Sequence, residues 1–246
     1  EGAGASVILF VDDIRVYPYD GQMITSVAPD VEGLVAYYPL DGDGSDAAGG
    51  HDGTISGTPD FVAGFEGQAI DLASNAGVPQ YVEVPYAEDL ALNSFTFAAW
   101  INVKDLDALR SIAGTRFNSD NTFDFKVSGT FVHGDIGDGS AWLNTTLDID
   151  AANGGVISVG DWHNIAYVID ETGTAEIYLD GVLGATYTFT GTPLMMKADQ
   201  VLRIGNCSGT EYMNGMIDEV RIYDRALSTA QVAGLVGRPG PFYMSF

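Results

Sequence analysis

The feature that most constrains this chain is a succession of short segments that alternate apolar and polar residues, with glycine and aspartate turns between them. Strand patterns at 34–38, 68–72, 81–84 and 94–101 are followed by others at 110–115, 122–127, 130–134, 142–147, 155–158, 162–169, 174–180, 182–189, 201–205 and 217–223. Alternation puts every second side chain on one face, so each strand buries one side and wets the other. About a dozen such strands at this spacing imply an all-β fold, a two-sheet antiparallel jelly-roll sandwich. Segment 94–101 is the most apolar and reads as a central strand. Asp180-Gly181, between Ala175–Leu179 and Val182, is the best hairpin signal, since both residues tolerate the positive φ of a two-residue turn. Helical periodicity is confined to 228–236, where Ser228 stands as N-cap with Gln231 three residues on.

The stretch Ile217 to Ser228 reads as a domain ending: a strand with Asp218 and Glu219 at its mouth, then a capped helical turn. As neighbours in a strand, Asp218 and Glu219 are expected to point to opposite faces. A near-copy, Val11-Asp12-Asp13-Ile14-Arg15-Val16-Tyr17, occurs at the other end of the chain. Residues 1–28 are therefore expected to be the trailing strand and linker of a preceding module, with the main domain at 29–236 and a tail at 237–246. Pairing of the first strand within the main domain is the alternative.

Charge narrows the partners. There are 34 acids against 10 bases, a formal net charge of −24, and such a surface repels nucleic acid and anionic membranes. It attracts cations, and Asp41, Asp43, Ser45, Asp46 and Asp52 crowd one glycine-rich loop with hard oxygen ligands suited to calcium. A solvated acidic loop without metal is the alternative. The loop is not an EF-hand, because the sixth position, where glycine is required, is Asp46 and no flanking helix is evident. The single cysteine, Cys207, rules out a disulfide within the chain and reads as a small buried hydrophobe. No apolar run approaches the ~20 residues of a membrane span.

Several ordered motifs resemble the laminin-G-like, concanavalin A-like family. They are Gly33–Leu40, Asp46–Thr54, Gly67–Ile70, Phe95–Ile101, Gly160–Ala166, Tyr178–Gly181, Leu202–Gly205 and the ending at 217–228, together covering about residues 30–236. The resemblance implies a curved sandwich that serves as a binding module for glycans or proteins in large extracellular proteins, often with a structural calcium ion. It places calcium between the acidic loop and the mouth of the last strand, with Asp41, Asp43, Asp46 and Asp218 as ligands, Asp46 and Asp218 foremost. The same sandwich also hosts glycoside hydrolases and lyases. Hydrolase relatives carry Glu-x-Asp-x-x-Glu on one strand, a spacing this chain lacks, and lyase motifs are absent although Arg116 and His133 are the right residue types.

The expected function is thus a non-catalytic, calcium-stabilised, lectin-like carbohydrate-binding module. A structural or adhesion module that contacts protein and a polysaccharide hydrolase or lyase are the alternatives. Sugars need an aromatic platform with planar polar groups beside it. The loops around 116–121, 135–142 and 206–214 offer that mixture, so Arg116, Asn118, Asp120, Trp142 and Tyr212 are the candidate ligand-binding residues, with Trp142 the stacking platform. Trp100 and Trp162 are expected in the core.

Overall fold

The computed structural model describes residues 15–16, 24–25, 31–74, 77–116, 120–149, 155–207 and 210–236, those at 15–16, 24–25 and 147–149 by backbone only. In chain order the strands are β1 (Arg15–Val16), β2 (Ile24–Thr25), β3 (Leu34–Tyr38), β4 (Thr54–Ser56), β5 (Asp60–Ala63), β6 (Gln68–Leu72) and β7 (Tyr81–Pro85). Then come β8 (Phe95–Val103), β9 (Arg110–Gly114), β10 (Phe123–Ser128), β11 (Phe131–Gly137) and β12 (Trp142–Ile149). The last are β13 (His163–Asp170), β14 (Thr174–Leu179), β15 (Val182–Thr188), β16 (Val201–Ile204) and β17 (Gly215–Tyr223), with helix α1 at Thr229–Leu235.

Two large antiparallel sheets form the sandwich. One has seven strands in the order β12-β11-β10-β9-β16-β7-β4. The other has eight, in the order β15-β14-β13-β8-β17-β6-β5, with β3 also paired to β17. Strands β1 and β2 pair with each other, Arg15 opposite Thr25, and with neither large sheet. The rest of the expected linker, and the tail at 237–246, lie outside the described residues.

The core lies between the sheets. Strand β8 is buried along all nine residues and pairs with both β13 and β17, as its apolar density predicts. Phe97, Phe125 and Tyr167 meet across the gap, with centroids 6.2 Å (Phe97–Phe125) and 5.3 Å (Phe125–Tyr167) apart. Gly134 makes room for this cluster, since a Cβ there would stand 2.7 Å from Tyr167 Cζ. The expected hairpin joins β14 to β15, with Asp180 at φ 50° and Gly181 at φ 76°, the paired positive values of the Asp-Gly turn. Helix α1 buries Val232 and Leu235 against Tyr178 and Tyr223 on the outer face of the eight-stranded sheet.

Two of these expectations are corrected, and two short strands were not expected. Residues 155–158 form no strand: Ile157 N–H donates to Thr130 O at 3.0 Å, and Val159 makes one isolated bridge to Val103. The short strands β4 and β5 stand among Gly57, Pro59 and Gly64, whose turn chemistry hid them. Trp100 is buried as expected, on the outer side of the eight-stranded sheet under Phe65, with rings 3.5 Å apart and nearly parallel. Trp162 precedes β13, half-buried, and meets Phe65 edge-on at 6.5 Å.

The fold also changes the relation of Asp218 to Glu219. The pairing of β17 with β8 shifts register between Asp218 and Arg221, and Glu219 takes a left-handed φ of 53°. This β-bulge inserts one residue, so Ile217, Val220 and Ile222 all stay in the core while Asp218 and Glu219 share the outer face. The signal was present in the sequence: Ile217 and Val220 are three apart, which breaks a period of two.

Candidate functional site

The outer face of the seven-stranded sheet is built by alternation. In β10, Phe123, Phe125 and Val127 enter the core, which turns Asp124 and Lys126 outward. In β11, Val132 and Ile136 go in, which turns His133 and Asp135 outward. The register of the two strands sets Asp124 opposite Asp135 and Lys126 opposite His133. Lys126 Nζ then lies 3.1 Å from Asp124 Oδ1, 3.3 Å from Asp135 Oδ2 and 3.7 Å from Glu211 Oε2. Arg116 enters from the loop after β9, with Nε 2.7 Å from Asp124 Oδ2 and Nη2 3.2 Å from Glu211 Oε2. His133 Nε2 is 2.8 Å from Asp135 Oδ1.

Burial splits the two aspartates. Asp124 is fully buried, and desolvation, aided by the charge of Asp135, pushes its carboxyl up to about 7 against the opposing pull of Lys126 and Arg116. Burial also works to raise Asp135, but the hydrogen bond and charge of His133, with Asp124 and Lys126, hold it below the ordinary carboxylate range. Burial likewise pushes the Cys207 thiol well up, so it is a protonated hydrogen-bond donor, 3.0 Å from Glu211 Oε2, and no nucleophile. Asp124, Cys207 and Glu211 hold ligand atoms within 4.8 Å of one another, the one such trio of His, Cys, Asp or Glu among the described residues. The Lys126 ammonium lies against both of its carboxylates, so the chain supplies its own cation there.

Two of the expected ligand-binding residues meet at the rim of this network, where the Arg116 guanidinium lies 5.8 Å from the centroid of the half-buried Trp142 ring. Tyr212, half-buried and next in sequence to Glu211, bridges to Asn206. Asp120 stands apart: its carboxylate takes Lys197 Nζ at 2.6 Å, and Lys197 also donates to Gly139 O, tying the loop before Trp142 in place. Asn118 lies outside the described residues. Sequence reasoning missed Asp124 and Lys126, although the strict alternation of 123–127 marked them as facing outward; Asp135 and Glu211 lay in the loops expected to face a ligand but were not chosen as ligand-binding residues.

A second acidic group gathers at the mouth of β17. Asp218 is fully buried; its Oδ2 accepts N–H bonds from Phe65 at 2.8 Å and Glu66 at 3.0 Å, while its Oδ1 has no partner. Desolvation pushes the Asp218 carboxyl up to about 7, against the backbone hydrogen bonds from Glu66 and Phe65. Gly64 lies close enough that a Cβ would come 2.5 Å from Asp218 Oδ2. Asp41 reaches the same 64–68 turn from the other side, its Oδ1 accepting Gln68 N–H at 2.5 Å. Burial and the charges of Glu219 and Asp41 raise the Glu66 carboxyl. Glu219 accepts from Tyr37 Oη at 2.6 Å and pairs with Arg221.

The other two expected metal ligands sit differently. Asp46 Oδ1 accepts from Tyr37 N and Ala48 N at 2.8 and 2.9 Å, and its Oδ2 takes His51 N at 3.1 Å and lies 3.3 Å from His51 Nδ1. Tyr37, Ala48 and His51 surround both oxygens of that carboxylate, so Asp46 braces its own loop. Asp43 is exposed and accepts from Ser45 N at 2.9 Å, a local turn. The structure therefore brings Asp41 and Asp218 to one turn and leaves Asp43 and Asp46 in the loop.

No curated protein matches the chain. Among solved structures, domain 4 of AbnA, an extracellular GH43 arabinanase of Geobacillus stearothermophilus solved with arabinotriose, superposes with a TM-score of 0.65 at 23% identity, covering 82% of this chain and 98% of that one. The binding domain of Paraclostridial Mosquitocidal Protein 1 gives a TM-score of 0.63 at 18% identity, covering 82% of this chain and 51% of that one. The binding domain of botulinum neurotoxin DC in complex with SialylT gives 0.59 at 15% identity, covering 84% and 51%. The chain spans about half the length of these toxin domains, and at such identities the likeness shows the shared fold. A family model described as the concanavalin A-like lectin/glucanases superfamily matches residues 76–233. With its two antiparallel sheets, the chain belongs to the concanavalin A-like lectin/glucanases superfamily.

Proposed function

We propose that this chain is a non-catalytic glycan-binding module of a larger extracellular protein, steadied by a calcium ion at the mouth of β17. The observation that carries the reading is the half-exposed Trp142 ring beside Arg116, whose guanidinium is also held by Glu211. An aromatic plane takes the C–H face of a sugar, while the charged planar groups take its hydroxyls. Arabinotriose and SialylT are ligands in two of the similar structures, which agrees with this reading.

A binding role fits the carboxylates better than a catalytic one. Glycoside hydrolysis needs two carboxyl groups flanking an open cleft. Asp124 and Asp135 instead share one lysine and are buried, where no scissile bond reaches them.

For calcium, the unpartnered, buried Oδ1 of Asp218 is the fitting donor, and Asp41 across the 64–68 turn is the second. Calcium is bound by such hard carboxylate oxygens together with backbone carbonyls. Bound there, it would supply a counter-charge for the Asp218 carboxylate and tie the first loop to the last strand.

Glycan arrays and pull-down on insoluble polysaccharides, with calcium present, test the function. Binding to at least one glycan, weakened on Trp142→Ala, is expected. Absence of binding to every glycan would overturn it and favour a protein-contacting adhesion module.

A further inference from the structure

Besides meeting Arg116, Trp142 lines a groove of about 560 Å³ between the terminal strands of the two sheets. It is lined by the start of β12, the turn into β14 and the end of β15. Its volume falls in the range of small-ligand sites. Trp142 and Tyr187 supply rings, and Thr172, Thr174, Thr188 and Thr190 supply hydroxyls. Tyr187 is 39% exposed, so its ring is open to a ligand. The floor is held by backbone geometry: Phe189 N–H donates to Gly173 O at 2.9 Å, and Thr174 stands opposite Thr188 in the β14–β15 ladder.

What sets this groove apart is its charge. The chain carries 34 acids and a net charge of −24, yet none of the described residues that line the groove is charged. It offers no cation to reward a carboxylate or sulfate, and the surrounding acidic field repels both. Rings flanked by hydroxyls match a ligand with C–H faces and hydroxyl groups. The polar face across Trp142 is its opposite, with Arg116, Lys126, Asp124, Asp135 and Glu211 crowded together. Trp142 belongs to both.

We infer that the Trp142–Tyr187 groove is a subsite for uncharged sugar units, so that the ligand is a neutral polysaccharide whose chain passes over Trp142 from the polar face. This rests on the glycan-binding reading and adds to it the class of glycan and the direction in which the chain runs. A disaccharide fills only one side of Trp142, whereas a longer oligosaccharide spans both.

The test is calorimetric binding of neutral arabinan and xylan oligosaccharides, from disaccharide to octasaccharide, with polygalacturonate fragments of the same lengths as the charged comparison. Wild type, Tyr187→Ala, Thr188→Val and Arg116→Ala are compared, with melting curves to establish that each is folded. Affinity should rise with length for a neutral series in the wild type. Tyr187→Ala should lower affinity for the longest oligosaccharide about tenfold and flatten the length dependence. Thr188→Val, which keeps the side-chain shape, should act in the same direction. Arg116→Ala should weaken short and long chains alike. If Tyr187→Ala and Thr188→Val leave the length profile unchanged while Arg116→Ala weakens binding, the groove is overturned and the glycan reading stands. Stronger binding of the polygalacturonate fragments would overturn the neutral class. A wild type that binds no glycan would overturn both.

Discussion

At Asp124 the chain sets a carboxylate where it is fully buried, beside Asp135 and against two cations. Its carboxyl titrates at about 7, whereas an aspartate in an unfolded chain titrates near ~3.9. Between those values the folded state holds the proton more tightly, so stability is greater at the acidic end of the window and falls as pH rises through 7. Asp135, held low, acts in the opposite direction, but only below the ordinary carboxylate range. Asp124→Asn should therefore flatten the loss of stability between about pH 5 and about pH 8, read as urea-unfolding free energy. An equal decline in wild type and variant would dispose of the claim. Sequence alternation showed that Asp124 faces outward; that neighbours from three separate loops and strands would bury it could not be read from spacing.

At the scale of elements, α1 shows how local signals survive into the structure. Ser228 Oγ accepts Gln231 N–H at 3.4 Å and Gln231 Oε1 accepts Ser228 N–H at 2.9 Å, the capping box that the Ser–Gln spacing announced. Ser228→Ala should cost about 1 kcal/mol, a fall of roughly 2–4 °C in Tm for a domain of this size. The helix lies outside both sheets, so the far-ultraviolet β signal should be unchanged below the transition. A larger fall with loss of β signal would mean that α1 is needed to form the sheets. The hairpin at Asp180-Gly181 and the central strand β8 were legible for the same reason, that their signals are local and strong. The bulge at Glu219 was not read, because a fixed period of two hides one inserted residue. Strands β4 and β5 were missed because three or four residues amid turn formers carry too little pattern.

Across the whole molecule, acidic charge makes cation binding a question of stability. The proposed ion would join the loop after β3 to β17 and so couple the first strand of the sandwich to its last. A ligand that binds only the folded state stabilises it by mass action, about 2.7 kcal/mol at a hundredfold excess over Kd. Chelation should then lower Tm by several degrees, and Asp218→Asn should abolish the response. A melting curve unmoved by excess chelator would remove the ion from the account.

The pairing of β3 with β17 has one more consequence. The two strands are antiparallel, Leu34 lies opposite Tyr223, and Asp224 N–H donates to Gly33 O at 2.8 Å. Residues 33 and 224 therefore stand side by side at one end of this ladder, with Leu227 and α1 still packed on the sheet beyond Asp224. Tension applied through these two points, as on a module tethered within a longer chain under flow, would not shear the ladder as a block. It would peel β3 from β17 one hydrogen bond at a time, the weakest way to load a sheet, once the outlying Arg225 Nε to Glu32 O bond and then the Gly33–Asp224 bond had parted.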